Sequence, residues 1–174
     1  MPRVLAEGHW LRLIDDDGWE YAERTGSRGV AVIVAVTDDS ELLLVEQYRR
    51  AIKSRVIEPP AGLVGDHAEH ADEDASAAAR RELLEETGYE ARDMEFVMEC
   101  PSSPGMVSET YHLFRASGLV QRGAGGGDEN EDITVHAIPL AEVADFLAKQ
   151  GERGIAIDTK TFAALWLAGA PRPA

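Results

Sequence analysis

Residues 81–89 constrain the fold of this 174-residue chain more than any other segment, and they read Arg-Glu-Leu-Leu-Glu-Glu-Thr-Gly-Tyr. The carboxylates of Glu82, Glu85 and Glu86 are spaced by three and four residues, which places them on one face of an α-helix. Gly88 follows as a natural C-terminal stop for that helix. The segment therefore predicts a helix that presents three acids on one side and ends at Gly88.

The three acids need an explanation, because like charges on one helix face repel each other by a few tenths of a kcal/mol per pair. A divalent cation would offset this repulsion, and Mg²⁺ or Mn²⁺ prefers hard carboxylate oxygens. Most acidic runs, however, are simply solvated faces of helices. The glutamates alone therefore favour a solvated helix face over a metal site, and the choice between the two depends on the surrounding residues.

The surrounding residues resemble the signature of the Nudix hydrolases, in which Gly, five residues, Glu and seven residues precede Arg-Glu-apolar-x-Glu-Glu-x-Gly-apolar. Glu73 and residues 81–89 match this pattern without a mismatch. Residues 58–63, Glu-Pro-Pro-Ala-Gly-Leu, resemble the Glu-x-Pro-Ala-Gly-apolar entry of the family. Ten residues separate Gly62 from Glu73, which we interpret as a five-residue insertion within 66–72. The insertion leaves Glu73 and the acids of this loop without an assigned role.

The resemblance implies an enzyme that uses water to cleave the pyrophosphate bond of a nucleoside diphosphate linked to another group. It implies that Glu82 and Glu86 bind a metal together with the carbonyl of Ala61, and that Glu85 assists or coordinates a second ion. Mg²⁺ is the expected metal, and Mn²⁺ is the alternative. Arg81 is expected to orient one of these carboxylates.

A general base is expected in the acidic segment 127–133, Gly-Asp-Glu-Asn-Glu-Asp-Ile. This segment resembles the Glu-x-Glu stretch before the last main strand in the ADP-ribose pyrophosphatase branch of the family. Glu131 is the first candidate and Glu129 the second, and a glutamate of the helix is the alternative. An acidic loop that is merely solvated is the other interpretation of these residues.

Other elements resemble the substrate-binding parts of the same branch. Trp19 and Glu20, followed by Arg24, resemble the segment that stacks adenine, and stacking of a base on an aromatic ring contributes roughly 1–3 kcal/mol. Arg49 lies in a Gln-Tyr-Arg element that resembles one contacting the diphosphate or terminal ribose. Pro104 resembles a proline that marks enzymes acting on ADP-ribose. Core packing for Trp19 and turn formation for Pro104 are the structural alternatives.

The rest of the pattern predicts an α/β fold. The β-branched run 29–36 predicts a buried strand with 41–48 as its hairpin partner. Further strands are predicted at 55–58, 94–99, 110–116 and 133–138, and helices from Asp72 or Asp74 to Gly88, at 140–149 and at 158–167. The glycine run 123–128 predicts a flexible segment or hinge. We expect a three-layer α/β/α sandwich with a mixed sheet in one domain, 1–174, as the resemblance also implies, with residues 1–28 as an N-terminal β extension.

Composition and charge limit the classes of partner that we expect for this protein. A formal net charge of −15 argues against nucleic acid, whose binding depends on Lys and Arg neutralising phosphates. No apolar run is long enough for a membrane span, and the N-terminus lacks the apolar core of a signal peptide. Cys100 is the only cysteine, which suits a reducing cytoplasm. The resemblance further implies a homodimer with exchanged N-terminal strands, in which Trp19 would serve the site of the partner.

We therefore expect a Mg²⁺-dependent pyrophosphatase for ADP-ribose or a related nucleoside diphosphate sugar, which would give AMP and ribose 5-phosphate from ADP-ribose. An enzyme for GDP-sugars or damaged nucleotides is the alternative within the family. A module that senses a nucleotide without cleaving it is the alternative from a different class. The intact set of Glu82, Glu85 and Glu86 argues against such a sensor.

Overall fold

A computed structural model describes residues 1–65, 71–127 and 131–169 of the chain. Within these ranges the chain forms eleven strands and three helices. The strands are β1 Arg3–Glu7, β2 Leu11–Asp16, β3 Trp19–Arg24, β4 Val30–Ala35, β5 Glu41–Arg49, β6 Ser54–Glu58, β7 Ala61–Leu63, β8 Tyr89–Pro101, β9 Thr110–Gln121, β10 Thr134–Pro139 and β11 Ala156–Ile157. The helices are α1 Ala75–Thr87, α2 Val143–Glu152 and α3 Thr159–Ala168.

The strands are arranged in three sheets. Strands β1–β3 form an antiparallel N-terminal sheet, and the two four-stranded sheets have the orders β7-β4-β9-β8 and β10-β5-β6-β11. β4 pairs in parallel with β9, and β11 pairs in parallel with β6, whereas the other strand pairs are antiparallel. The mixed sheets confirm the predicted α/β class.

Helices cover both faces of these sheets, and β4 shows this most directly. Ala31, Ile33 and Ala35 share a buried core with α1, while Val32 and Val34 share a second core with α2 and α3. Side chains alternate between the two faces of a strand, so a strand that is apolar on both faces must lie between two layers of helix. This arrangement is the predicted three-layer sandwich.

Helix α1 has the boundaries that its capping residues dictate. The Asp74 carboxylate accepts a hydrogen bond of 2.8 Å from the Ala77 N–H, which makes Asp74 rather than Asp72 the N-cap. Gly88 adopts a left-handed conformation (φ +77°), and its N–H donates to the Leu84 carbonyl. The predicted end of the helix at Gly88 is confirmed.

The predicted hairpin between residues 29–36 and 41–48 is wrong. The tight turn at 37–40 forms, but only the bridge between Val36 and Leu42 links the two strands. β4 uses both of its edges to pair with β7 and β9, and β5 uses its edges to pair with β6 and β10. Because a strand has only two edges for backbone hydrogen bonds, neither strand has one left for the other.

The N-terminal extension is a three-stranded sheet attached to the loop between β8 and β9. The Ala22 N–H donates to the Met106 carbonyl at 2.8 Å, and the Ser108 N–H donates to the Ala22 carbonyl at 3.1 Å. This attachment places the end of β3 beside the rest of the fold.

None of the helices within the described ranges is both long enough and apolar enough to span a bilayer.

Candidate active site

A cleft of about 600 Å³ opens where the acidic face of α1 meets β7, the end of β5 and the residue Glu131. Most of the residues predicted for the site line this cleft. The predicted residues at the cleft are Arg24, Arg49, Ala61, Arg81, Glu82, Glu85 and Glu131. The fold therefore brings together side chains from five separate segments. The spacing of residues within one segment could not predict that these segments meet.

Arg81 ties the acids of the site together. Its Nη1 donates to Glu82 Oε1 at 2.8 Å and to Glu85 Oε2 at 3.0 Å, and its Nη2 donates to Glu73 Oε1 at 2.9 Å and to the Leu63 carbonyl at 3.3 Å. Several carboxylates around one planar guanidinium fix its orientation, and together they raise the pKa of Arg81 despite its burial. These contacts place Arg81 among the carboxylates, and its role as an orienting residue stays a prediction.

Glu73 has a defined place despite the long loop before it. Its carboxylate accepts hydrogen bonds from Arg81 and from the Gly65 N–H, the latter at 3.3 Å. The loop after Gly62 therefore leaves the pairing between Glu73 and Arg81 intact. Residues 66–70 of the inserted loop lie outside the described residues.

Glu86 is the most deeply buried acid of the site, with 1% of its surface exposed. Its Oε2 accepts a hydrogen bond of 2.9 Å from the Ala61 N–H. Burial raises the pKa of Glu86 well above its usual value, the Ala61 N–H opposes this rise, and the charges of Glu82, Glu131 and Glu58 add to it. A buried carboxylate with acidic neighbours favours a cation beside it.

Glu82 lies directly against the backbone of β7. Burial raises the pKa of Glu82 to about 7, an increase that Arg81 opposes and that the charges of Glu85 and Glu131 strengthen. A Cβ atom at position 62 would lie 1.9 Å from Cδ of Glu82. Only glycine at position 62 leaves room for this carboxylate, which gives a structural reason for the Ala-Gly pair before the helix.

Glu131 lines the same cleft near these carboxylates. Its charge acts on both Glu82 and Glu86, and its side chain packs against Gly127. Its role as general base stays a prediction. The second choice, Glu129, lies outside the described residues.

Three pairs of opposite charge line the walls of the cleft. Arg49 donates to the buried carboxylate of Glu58 at 2.7 Å, Arg24 donates to Glu109 at 2.7 Å, and Lys160 lies 2.6 Å from Asp158. Each cation has more N–H donors than its acid uses, so a phosphate could bind the remaining ones. The walls of the cleft thus carry cations that are paired with acids, and the acids of α1 lie at its base.

Trp19, Glu20 and Pro104 do not line the cleft of their own chain. Trp19 is 63% exposed on β3, and Pro104 is exposed in the loop between β8 and β9. Their roles in substrate binding stay predictions.

Sequence reasoning assigned no site role to four residues that line the cleft: Gln47, Glu58, Asp158 and Lys160. Glu58 carries a signal, because an acid directly before two prolines at the end of an apolar strand is unusual for a buried position. Lys160 follows the Asp158 N-cap of α3 and carries no signal beyond ordinary helix capping.

The donor chemistry of the site fits a hard divalent cation, although within the described ranges no three His, Cys, Asp or Glu residues are already grouped as a metal site. Mg²⁺ commonly takes one or two carboxylates from the protein and completes its shell with water and substrate phosphates. Glu82 and Glu86 provide buried carboxylates of that kind, and Ala61 lies beside them on β7.

A mixed α/β sandwich with an acidic helix below a cleft that also carries arginine and lysine side chains is typical of proteins that bind phosphorylated ligands through divalent metal ions. Residues 27–157 match the family model for the NUDIX domain, and the chain belongs to the Nudix family.

Similar proteins give the family context. The "Methanol dehydrogenase activator" of Bacillus methanolicus is 34% identical, over 70% of this chain and 64% of the relative. The "ADP-ribose pyrophosphatase" of Bacillus subtilis (strain 168) is 32% identical over 66% and 60%, and the "GDP-mannose pyrophosphatase" of Citrobacter koseri is 33% identical over 71% and 65%. The matches span less than two thirds of the length of these relatives.

A solved structure, "Crystal structure of ADP compounds hydrolase", superimposes with a TM-score of 0.65 at 24% identity, over 85% of this chain and 80% of that chain. This likeness confirms the fold.

Proposed function

We propose that the protein hydrolyses the pyrophosphate bond of a nucleoside diphosphate sugar, with ADP-ribose as the first substrate to test. The observation that carries the proposal is the convergence of Glu82, Glu86 and Glu131 beneath a cleft with Arg24 and Arg49 on its walls. The relatives named for ADP-ribose and GDP-mannose pyrophosphatase activity support this class of substrate.

In this proposal Glu82, Glu86 and the Ala61 carbonyl would hold Mg²⁺, and Glu85 would assist or coordinate a second ion. When bound, Mg²⁺ neutralises charge on the diphosphate and makes water more acidic. Arg81 restrains Glu82 and Glu85 through its hydrogen bonds, so that their oxygens keep a fixed direction.

Glu131 is the proposed general base. It takes a proton from the attacking water as the oxygen of that water bonds to one phosphorus, and the bond from that phosphorus to the bridging oxygen breaks. Arg24 and Arg49 neutralise the charge that develops on the phosphates. With ADP-ribose the products are AMP and ribose 5-phosphate.

The substrate preference has a second candidate. The GDP-mannose pyrophosphatase relative is as similar to this chain as the ADP-ribose pyrophosphatase relative, at 33% against 32% identity. A GDP-sugar is therefore the alternative substrate. Stacking on Trp19 would not separate the two, because every base has an aromatic face.

A homodimer with exchanged N-terminal strands belongs to the same proposal, with residues 1–28 as the arm of a single domain. The exposure of Trp10 just before β2, of Trp19 on β3, and of Phe96 and Met98 on β8 supports it, because large apolar side chains can contribute to an association surface. Mixing a Trp19→Ala protein with a Glu86→Gln protein should restore activity if Trp19 serves the site of the partner. A monomer by light scattering would contradict the exchange.

The test of the proposed function is a panel of ADP-ribose, GDP-mannose, other nucleotide sugars and nucleoside triphosphates, assayed with Mg²⁺ and with EDTA. We expect metal-dependent release of a nucleoside monophosphate and a sugar phosphate. Glu86→Gln is the matched control, since it removes the charge but keeps an acceptor for the Ala61 N–H. Nucleotide binding without turnover would favour a sensor.

A cytoplasmic location is proposed with this substrate class, and the single Cys100 supports it.

A further inference from the structure

The glycine strap, residues 123–127, docks on the end of the acidic helix. The N–H of Gly126 donates to the Glu86 carbonyl at 2.9 Å, and the N–H of Gly127 donates to the Glu85 carbonyl at 3.0 Å. The last carbonyls of a helix have no partner within the helix, so the strap supplies the donors they need. The strap therefore contacts the end of α1. The glycine run predicted a flexible segment or hinge and gave no indication of this contact.

Only glycine permits these contacts. A Cβ atom at position 125 would lie 2.4 Å from the Thr87 carbonyl carbon. A Cβ atom at position 127 would lie 2.3 Å from Oε2 of Glu131 and 2.8 Å from its Cβ. Gly127 also has φ +81°, a conformation that other residues adopt with strain. Gly127 thus leaves the space in which the Glu131 carboxylate lies.

A second anchor holds the residue that follows Glu131. Arg55 on β6 donates from Nη1 to Asp132 Oδ2 at 2.9 Å and from Nη2 to the Asp132 carbonyl at 3.3 Å. The same guanidinium donates from Nη2 to the Glu46 carbonyl at 3.1 Å and from Nε to the Glu46 carboxylate. Glu46 is itself 3.0 Å from His136 Nε2. Arg55 therefore joins Asp132 to the centre of a sheet.

An anionic side chain close to Glu82 and Glu86 is repelled by both, so it needs a restraint to stay there. We infer that Arg55 and Gly127 are positioning residues that hold Glu131 over the acidic helix from its two sides. The inference rests on the proposed role of Glu131 as general base. A base that moves by about 1 Å loses on the order of 100-fold in rate.

Arg55→Lys and Gly127→Ala test the two anchors in the full-length protein. Lysine keeps the charge but presents a single ammonium, which cannot join Glu46 and Asp132 as the guanidinium does. We expect kcat to fall about 10- to 100-fold in each variant, with KM changed less than about twofold. The controls are Arg92→Lys, at an exposed arginine paired only with its neighbour Asp93, and Gly151→Ala, where a Cβ would meet no atom within 4 Å.

A double-mutant cycle separates positioning from general damage to the fold. Glu131→Gln alone should lower kcat by about 10²- to 10⁴-fold, the usual contribution of a general base. In that background Arg55→Lys should lower kcat by less than about twofold more, because the group that it positions is already inactive. Independent losses that multiply would overturn the inference, and so would an unchanged kcat in Glu131→Gln.

Amide hydrogen exchange tests the anchors without any turnover. Arg55→Lys should speed exchange at the Gly126 and Gly127 amides about tenfold or more, whereas Arg92→Lys should not. Unchanged exchange would overturn the inference even if the enzyme hydrolyses ADP-ribose. Faster exchange in a protein that hydrolyses nothing on the panel would refute the proposed function and the catalytic part of the inference, but leave the anchors in place.

Discussion

Replacing Gly62 by alanine tests whether the Glu82 carboxylate must lie against the backbone of β7. The new Cβ would lie 1.9 Å from Glu82 Cδ, and 2.0 and 2.4 Å from its two oxygens. Carbon atoms in contact are about 3.5–4 Å apart, so the carboxylate must move by roughly 1.5 Å or the wall formed by β7 must yield. The φ of Gly62 lies outside the left-handed region, so alanine brings a steric change without backbone strain.

The two ways of relieving this overlap have different costs. If the carboxylate moves, it leaves the bond with Arg81, and a displacement of this size lowers kcat by on the order of 100-fold. If β7 moves instead, overpacking lowers the free energy of unfolding by about 1–3 kcal/mol. We expect mainly the first, because a side chain rotates more readily than a paired strand shifts.

The assay is steady-state hydrolysis of ADP-ribose with Mg²⁺, together with urea unfolding of the same samples. Gly151→Ala is the control, since its added methyl group meets no neighbour within 4 Å. A Gly62→Ala protein with unchanged kcat and unchanged Mg²⁺ dependence would refute the claim that Glu82 must lie at this place.

Two further substitutions test other parts of the site and fold. Arg81→Lys should lower kcat about 10- to 100-fold, because one ammonium cannot bridge three carboxylates. Arg80→Lys, at the neighbouring arginine whose side chain donates to the Ala91 and Arg92 carbonyls, should change kcat little. Glu46→Gln tests stability: burial opposes ionisation of Glu46, but contacts with His136 and Arg55 outweigh it and lower its pKa below the usual 4.5. A carboxyl group whose pKa is lower in the folded than in the unfolded protein stabilises the fold at pH values above its unfolded pKa. This stabilisation is lost as the pH falls through the folded pKa. The wild-type protein should therefore exceed the variant by about 1 kcal/mol in unfolding free energy at pH 7, and this difference should shrink below about pH 4.5. A difference that is constant from pH 7 to pH 3 would contradict this origin.

The sequence was sufficient where structure depends on nearby residues. Asp74 and Gly88 are the caps of α1, and the spacing of Glu82, Glu85 and Glu86 places their side chains within one turn of each other. These are local properties of the backbone, which the order of residues determines directly. The family resemblance then identified Arg81, whose hydrogen bonds connect the site.

The sequence was insufficient where structure depends on which strands pair. Residues 29–36 and 41–48 satisfy every local requirement of a hairpin, including a tight turn, yet β4 and β5 lie in different sheets. Their partners come from positions up to about a hundred residues away, and no local pattern records that choice. For the same reason Asp158 and Lys160 could not be assigned to the cleft before the fold was known.

Glu131 illustrates a third situation, in which the family resemblance selected a residue without showing how its neighbours place it. The resemblance made Glu131 the first candidate in a run of acids, but it gave no reason for the glycines that precede it. The carbonyls of Glu85 and Glu86 need donors, and glycine alone can bring N–H groups so close to the helix end. The glycines docked on the helix end and Glu131 at the cleft are therefore parts of one local arrangement, which the run of acids alone could not reveal.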